Sequence, residues 1–364
     1  MKYTTASHFA GRCFTTFAAL LALCPALPAA AAETLTGAGS GAGGPVYRAW
    51  AELYGRKQDV KLSFEPSGSA AGVQKIRARA VAFGATDVAL SAQELAKDQL
   101  VLVPTFVTGM APVVNLPKIA NGKLRMSGEV LAAMYLGSVT RWNAPELQEL
   151  NPGVALPDLA VKVFGRTDAS GTSFYFTDYL SRVSPAWKDK FGAHTVNVWP
   201  SHVIAVKGFD PMAKAVKDTV GALGYVDYNL AVRENLNIVQ LRNATGEFVA
   251  PNVESFRLAL QRSEWTTKGN FLASLSNLSG HGVWPIPMGT FVLFPKTADK
   301  PAETTRALKF FAWTLFHGDQ IAEGMGFVRL PDTMQSVAFK LLASVTDQQG
   351  HALGIDALTA ESQQ

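Results

Sequence analysis

Three loops of small residues, each placed between an extended segment and a helical pattern, constrain the fold of this chain most strongly. They lie at residues 37–44, 67–72 and 168–173. Backbone N–H groups at a helix start are unpaired and carry the positive end of the helix dipole. A loop without bulky side chains lets these groups surround an anion. The order strand, loop, helix, strand is typical of an α/β layer, so the pattern predicts an α/β fold with an oxyanion site.

Residues 1–32 have the pattern of a secretory signal peptide. Lys2 and Arg12 supply the positive start, residues 14–27 the apolar run, and three alanines ending at Ala32 the cleavage site. The alternative is a membrane anchor, but the apolar run is shorter than the roughly 20 residues that a span needs. We therefore expect an exported protein that is cleaved near Ala32 and acts in the periplasm.

Size, cysteine content and charge limit the classes of function. A chain of 364 residues exceeds one ordinary core, which favours two domains. Cys13 and Cys24 both lie in the signal, so the mature chain is expected to have no disulfide and no thiolate chemistry. Cleavage removes Lys2 and Arg12 but no acid, which leaves 31 basic and 29 acidic residues and lowers the net charge from +4 to +2. Since no basic stripe with interleaved aromatic residues occurs, nucleic acid is not an expected partner.

The coarse secondary-structure pattern suggests that one lobe is inserted into another. Extended segments are expected at residues 34–36, 60–64, 82–87, 101–107, 161–164 and 284–293. Helices are expected from Pro45 and Val73 onward, and at residues 129–135 and 305–316. The segments near 101–107 and 284–293 are interpreted as two hinge strands. They predict a discontinuous lobe I (33–107 plus 286–364) and an inserted lobe II (108–285).

The third loop offers the clearest anion-binding chemistry. Arg166 can donate two N–H groups to an oxyanion while Asp168 fixes its orientation. Ser170, Gly171 and Thr172 follow, with small hydroxyls and backbone donors at a helix start. The alternative is an exposed ion pair that contributes almost nothing, followed by an ordinary helix start.

The first two loops are less specific by themselves. Residues 37–44 lack the Lys-Ser/Thr ending of a nucleotide-binding loop, and a tight turn with close backbone packing is the alternative. Ser69 alone is typical of a helix N-cap, and Asp87 alone of a turn after a strand. We favour function because all three loops offer the same chemistry.

Catalysis and metal binding have little support. Ser170 lacks the Gly-x-Ser-x-Gly context of an activated nucleophile. The mature histidines are dispersed singly, and no His-Glu-x-x-His or Cys-x-x-Cys pattern suggests a metal. We therefore expect no enzyme activity, metal or cofactor. The alternative from another class is an exported phosphoester hydrolase that uses Ser170 or Thr172.

Over nearly the whole mature chain, the sequence resembles the periplasmic phosphate-binding proteins that feed the high-affinity phosphate ABC transporter. The matching motifs include Thr-Gly-Ala-Gly at 36–39, Phe-Gly-Ala-Thr-Asp at 83–87, Asp-Ala-Ser-Gly-Thr-Ser-Phe at 168–174, Gly-Tyr-Val-Asp-Tyr at 224–228 and Leu-Pro-Asp at 330–332. The resemblance implies a type II periplasmic-binding-protein fold, in which two α/β lobes joined by two hinge strands hold the ligand in a cleft. It also implies import of inorganic phosphate by a monomer that delivers it to an inner-membrane permease and its ATPase.

The resemblance implies a set of phosphate-binding residues. They are Ser40, Gly41, Ala42, Ser69, Asp87, Arg166, Ser170, Gly171 and Thr172, with Asp168 in a supporting ion pair. In the first loop the family usually has Ala-Thr-Phe-Pro where this chain has Ser-Gly-Ala-Gly at 40–43. The departure leaves a sensor or another paralogue as an alternative role.

Overall fold

The computed structural model describes residues 1–3, 33–58 and 60–362. The predicted signal peptide and its two cysteines fall almost entirely outside the described residues. Among the described residues, no helix combines the length and the apolar character needed to cross a bilayer.

The described chain forms twelve strands and fifteen helices. The strands are β1 (Glu33–Gly39), β2 (Val60–Glu65), β3 (Phe83–Thr86), β4 (Leu100–Asn115), β5 (Arg125–Met126), β6 (Lys162–Arg166), β7 (Ile204–Val206), β8 (Ala222–Asp227), β9 (Asn237–Ile238), β10 (Gln240–Arg242), β11 (Phe248–Val249) and β12 (Pro287–Pro295). The helices are α1 (Gly44–Gln58), α2 (Ser69–Arg77), α3 (Ala92–Asp98), α4 (Gly128–Leu136), α5 (Pro145–Leu150), α6 (Gly171–Val183), α7 (Pro185–Lys190), α8 (Phe209–Asp218), α9 (Tyr228–Arg233), α10 (Val253–Gln261), α11 (Glu264–Lys268), α12 (Pro301–His317), α13 (Asp319–Gly324), α14 (Asp332–Ala343) and α15 (Leu353–Ser362).

One large mixed sheet runs through the described chain in the order β2-β1-β3-β12-β4-β8-β6-β7, with β9 also paired to β4. Strands β1, β2 and β3 pair in parallel, as do β6, β7 and β8. Parallel neighbours require crossover helices, which is why helices separate these strands along the chain. A smaller sheet of β11, β10 and β5 lies apart from this path.

The long strand β4 connects the two parts of the large sheet. Its first ten residues pair antiparallel with β12, from Leu100 to Gly109. Its last six, from Met110 to Asn115, pair antiparallel with β8. The chain returns just before β12, where the N–H of Met110 donates to the carbonyl of Ile286 at 2.8 Å. A first part (β1, β2, β3 and β12) and a second part (β6, β7 and β8) therefore share β4.

Most of the elements expected from the sequence are confirmed, with shifted ends. The structure places strands or helices at each extended segment and helix named above. Helix α2 begins at Ser69, four residues earlier than expected, because small residues rather than apolar ones form its first turn. Strand β4 runs eight residues beyond the expected 101–107, since its second half is paired as well.

Aromatic clusters fill the core on each side of β4. In the first part, Phe83 packs edge-on against Phe311 with ring centroids 4.8 Å apart. In the second part, Phe176 stacks on Tyr225 at 4.3 Å with an interplanar angle of 15°. Such ring pairs contribute about 0.5–1.5 kcal/mol beyond the area that they bury.

Candidate anion site

Three helices begin shortly after the carboxyl ends of the strands that precede them in the chain. Helix α1 follows β1, α2 follows β2, and α6 follows β6. The N–H groups of Gly41 and Ala42 precede α1 and make no hydrogen bond within the described residues. In α6 the Ser170 side chain accepts from the N–H of Ser173, which leaves the N–H of Gly171 unpaired in the first turn. These starts supply the backbone donors that an oxyanion requires.

Asp87 is the acidic centre of this region. Its Oδ1 atom accepts hydrogen bonds from the hydroxyls of Ser40 and of Thr290, the latter at 3.0 Å. Its Oδ2 atom accepts from the hydroxyl of Ser69 at 2.9 Å, and the Asp87 N–H donates to Oγ of Ser69 at 3.1 Å. Strand β3 lies between β1 and β12 in the sheet, which brings these partners to its end.

The hydrogen bonds of Asp87 leave one place for a further donor. An ionised carboxylate offers about four lone-pair positions, and three hydroxyls occupy three of them. Burial raises the pKa of Asp87 above its usual range, although the hydroxyls of Ser40, Ser69 and Thr290 and the positive charge of Arg166 act in the opposite direction. A buried carboxylate with a remaining acceptor position favours a partner that brings a proton.

Arg166 is the positive centre of the region. It is 5% exposed, and its Nε atom donates to Oδ1 of Asp168 at 3.1 Å, while Nη2 donates to the other carboxylate oxygen. Burial raises the pKa of Asp168, but the Arg166 contacts and the N–H of Gly208, at 2.8 Å from Oδ1, outweigh it and lower the pKa. The backbone of Arg166 is held as well, since its N–H donates to Tyr225 Oη and its carbonyl accepts from Trp199 Nε1. The remaining guanidinium donors are thus fixed in direction.

Asp87 and the first residue of α6, Gly171, lie at close range. A Cβ built on Gly171 would lie 2.4 Å from Cβ of Asp87 and 2.8 Å from Oγ of Ser69. A Cβ on Gly68 would likewise lie 2.8 Å from the carbonyl oxygen of Ala169. Loops from the two parts of the sheet therefore meet, and only residues without side chains allow this approach.

The first loop needs its glycines for packing. Gly39 has φ +135°, and a Cβ there would lie 1.9 Å from the Ala85 carbonyl oxygen. A Cβ on Gly43 would lie 2.6 Å from the ring of Tyr47. The first loop is therefore a close-packed turn, which was the alternative to an anion-binding loop. The two interpretations are compatible, because the N–H groups of Gly41 and Ala42 remain free.

The structure brings Ser40, Ser69 and Gly171, three of the residues predicted from the sequence, against Asp87. Asp87 and Ser69 are each 2% exposed and Thr172 is 3% exposed, so the region is shielded from solvent. Ser40 and Ser69 were expected to bind the anion, but here the hydroxyls of both residues donate to Asp87. Thr290 was missed, since a threonine inside a strand carries no signal of a site. Among the described residues, no cluster of three His, Cys, Asp or Glu residues could hold a metal.

A second buried carboxyl lies near the first. Asp227 is 1% exposed at the end of β8, where its Oδ1 caps α9 by accepting from the Leu230 N–H at 3.1 Å. Its Oδ2 has no hydrogen-bond partner in the described structure. Burial raises the pKa of Asp227 to about 7, and the nearby charge of Asp87 adds to the effect.

The raised pKa of Asp227 predicts a pH-dependent cost to the folded state. Since the folded pKa exceeds the unfolded value of about 4, the folded chain holds a proton that the unfolded chain has lost between these limits. Stability falls as pH rises through this window and levels off above about pH 7. Asp227→Asn retains a capping oxygen but does not titrate. We expect its free energy of unfolding, relative to that of the parent, to rise by roughly 2–3 kcal/mol from pH 5 to pH 8. Urea unfolding of both proteins at the two pH values measures this; parallel pH profiles would contradict it.

The sequence is similar to known proteins over most of its length. A family model described as PBP superfamily domain matches residues 25–315. The phosphate-binding protein PstS of Pasteurella multocida is 37% identical over 323 residues, which covers 88% of this chain and 94% of that protein. The protein of the same name from Haemophilus influenzae is 38% identical over 305 residues, which covers 84% and 91% respectively.

Solved structures share the fold at lower identity. A high-affinity periplasmic phosphate-binding protein solved with phosphate, PfluDING, has a TM-score of 0.67 at 18% identity, with 89% of this chain and 97% of that chain covered. A putative phosphate ABC transporter substrate-binding protein from Clostridium perfringens, with bound phosphate, has a TM-score of 0.58 at 17% identity and covers 82% and 100%. The expected α/β periplasmic-binding fold with two lobes is thereby confirmed.

Proposed function

Because the chain belongs to the PBP superfamily and, within it, to the PstS phosphate-binding proteins, we propose that it binds inorganic phosphate in the periplasm for import. It hands the anion to the permease of an ABC transporter, whose ATPase drives transport. It acts as a monomer without cofactor or enzyme activity. The observation that carries the proposal is the position of Asp87, which keeps one acceptor place free opposite the N-terminus of α6.

The ligand binds between two lobes that close on it. Lobe I comprises residues 33–107 and 286–364, and lobe II comprises residues 108–285. Strand β4 and the segment before β12 connect them. Phosphate that contacts both lobes binds the closed form better and shifts the hinge equilibrium toward it. The permease then recognises the closed shape.

Each lobe contributes a defined part of the site. From lobe I, Asp87 accepts the ligand's proton, and the N–H groups of Gly41, Ala42 and Ser69 donate to its oxygens. From lobe II, Arg166 donates from its fixed guanidinium. The start of α6 adds the hydroxyls of Ser170 and Thr172 and the N–H groups of Gly171 and Thr172, whereas the N–H of Ser170 donates to the carbonyl of Thr195 at 2.9 Å. Asp168 keeps Arg166 oriented through its contact to Nε.

Asp87 selects phosphate over sulfate. Near neutral pH phosphate retains at least one proton, which it donates to the free acceptor position of the carboxylate. Sulfate has no proton and would press a bare oxygen against that carboxylate. Sites built around one ligand hydrogen reject analogues that lack it by factors on the order of 10⁴–10⁵. The donors set affinity, and Asp87 sets identity.

Calorimetry with the mature chain tests this function. We expect binding of phosphate and arsenate, no comparable binding of sulfate, and no turnover of p-nitrophenyl phosphate. Turnover would favour a hydrolase that uses Ser170 or Thr172, although Ser170 Oγ has no histidine partner among the described residues. Failure of a deletion strain to grow at limiting phosphate would support import, while normal growth would point to a sensor.

Removing the guanidinium weakens phosphate binding. Arg166→Ala is expected to weaken phosphate binding by at least about 1–3 kcal/mol, since a charge-assisted partner is lost and Asp168 remains behind without its cation. Arg166→Lys retains the charge but not the planar fork, so an intermediate loss is expected. Calorimetry measures both, with Arg141→Ala as the control, because Arg141 pairs with Asp158 at the exposed surface. Parent-like affinity in Arg166→Ala would remove Arg166 from the site.

A further inference from the structure

The ring of Phe209 lies directly against the first loop. Phe209 is the first residue of α8, in the second part of the fold, while Gly41 belongs to the loop after β1. A Cβ built on Gly41 would lie 3.2 Å from both Cγ and Cδ2 of Phe209. Since Gly41 has no side chain, the ring packs on backbone next to the unpaired N–H groups of Gly41 and Ala42.

Phe209 is tied to the positive centre of the site. The residue before it, Gly208, has φ +106° and donates its N–H to Asp168 Oδ1 at 2.8 Å. The same oxygen accepts from Arg166 Nε at 3.1 Å. The carboxylate of Asp168 therefore fixes both the orientation of the Arg166 guanidinium and the start of α8. The ring of Phe209 and the guanidinium consequently move as one body.

Phe209 also lines a cavity. Phe209, Pro45 and Asp227 are among the residues that line an open cavity of about 430 Å³. Without the ring, water from this cavity would reach the N–H groups of the first loop. Water competes for those donors and raises the local dielectric constant, which weakens their attraction to an anion.

We propose that Phe209 is a positioning residue of the phosphate site, which closes from lobe II onto Gly41 and shields the first-loop donors from water. The inference rests on the proposed function and assigns lobe II a task beyond contact with the anion. Its expected signature is kinetic. The ring of Phe209 contacts Gly41 only when the two lobes close. Loss of this contact therefore accelerates phosphate release more than it slows phosphate association.

Stopped-flow release of phosphate measures the effect. We expect Phe209→Ala to release phosphate at least tenfold faster with little change in association, and Phe209→Tyr, which keeps the ring, to resemble the parent. Phe191→Ala is the matched control, since Phe191 is a half-buried phenylalanine that packs on Trp187 at 4.8 Å. If Phe209→Ala melts below the assay temperature, Phe209→Leu replaces it with the same expectation. Parent-like release in the substituted protein would overturn the proposal.

A double-mutant cycle with Gly41 separates a contact across the cleft from a structural role within α8. Gly41→Ala places a methyl group against the ring and should weaken binding several-fold in the parent. In the Phe209→Ala background it should have little effect, because the ring is gone. If the effects of Gly41→Ala and Phe209→Ala are additive, the role of Phe209 is overturned, but the proposed function is not, since the parent still binds phosphate. Absence of phosphate binding by the parent would instead refute the proposed function.

Discussion

Asp87→Asn is expected to abolish most of the discrimination between phosphate and sulfate. The parent should prefer phosphate by a factor on the order of 10⁴–10⁵. Sulfate carries no proton, so its oxygen would face the Asp87 carboxylate without a hydrogen bond between them. The amide of Asn removes the negative charge and offers an N–H that a sulfate oxygen accepts. Sulfate affinity should rise while phosphate affinity falls, so that the ratio drops below about 100. Competition calorimetry above neutral pH, where both anions are dianions, measures the ratio.

The neighbouring carboxyl provides the control for this experiment. Asp227 is as buried as Asp87 and interacts with it electrostatically. Asp227→Asn removes a similar charge without removing the acceptor that faces α6, so it should leave the anion ratio unchanged. A retained phosphate preference in Asp87→Asn, or an equal loss in both variants, would contradict the role given to Asp87.

Gly171→Ala is expected to block closure and to weaken phosphate binding by at least about 100-fold. The added Cβ would overlap Cβ of Asp87 at 2.4 Å, an atom close to the backbone that cannot swing away. Alanine is otherwise favoured over glycine in helices by about 1 kcal/mol, so α6 itself should not be destabilised. We expect an unchanged or raised melting temperature without ligand. Small-angle scattering in the presence of phosphate should show that the variant does not reach the closed form.

Gly324→Ala is the matched control for Gly171→Ala. Gly324 ends α13, and a Cβ there meets no atom within 4 Å. It should bind phosphate as the parent does. Tight binding and normal compaction by Gly171→Ala would show that the lobes do not approach each other at this contact.

The sequence was sufficient to predict the parts of the site that come from local patterns. Loops of small residues before helices predicted the starts of α1 and α6, because glycine, serine and proline have conformational preferences that act over a few residues. The short segment from Arg166 to Thr172 carries its charge, hydroxyls and glycine together, so its chemistry was visible without a fold. The ends of β4 and α2 were shifted, since pairing and capping, not apolar periodicity, determine them.

The residues that were missed depend on contacts between distant segments. Thr290 reaches Asp87 across 203 positions of sequence through the pairing of β12 with β3. Tyr225 lies in β8 and holds the N–H of Arg166 and the hydroxyl of Ser173, at 3.2 and 2.7 Å. Phe209 looks like any apolar residue at a helix start until Gly41 is seen beneath it. Strand register and lobe contact create these roles, and neither leaves a local pattern.

Anomalous diffraction from crystals grown with arsenate would show whether the anion lies between Asp87 and Arg166. Arsenate shares the shape and the protonation of phosphate, and its arsenic atom locates the anion without ambiguity. We expect one arsenic peak, with the arsenate oxygens within hydrogen-bond reach of the Asp87 carboxylate, the Arg166 guanidinium and the Thr172 N–H. A peak on another surface, or one bound to a single lobe with the carboxylate and guanidinium turned apart, would contradict it.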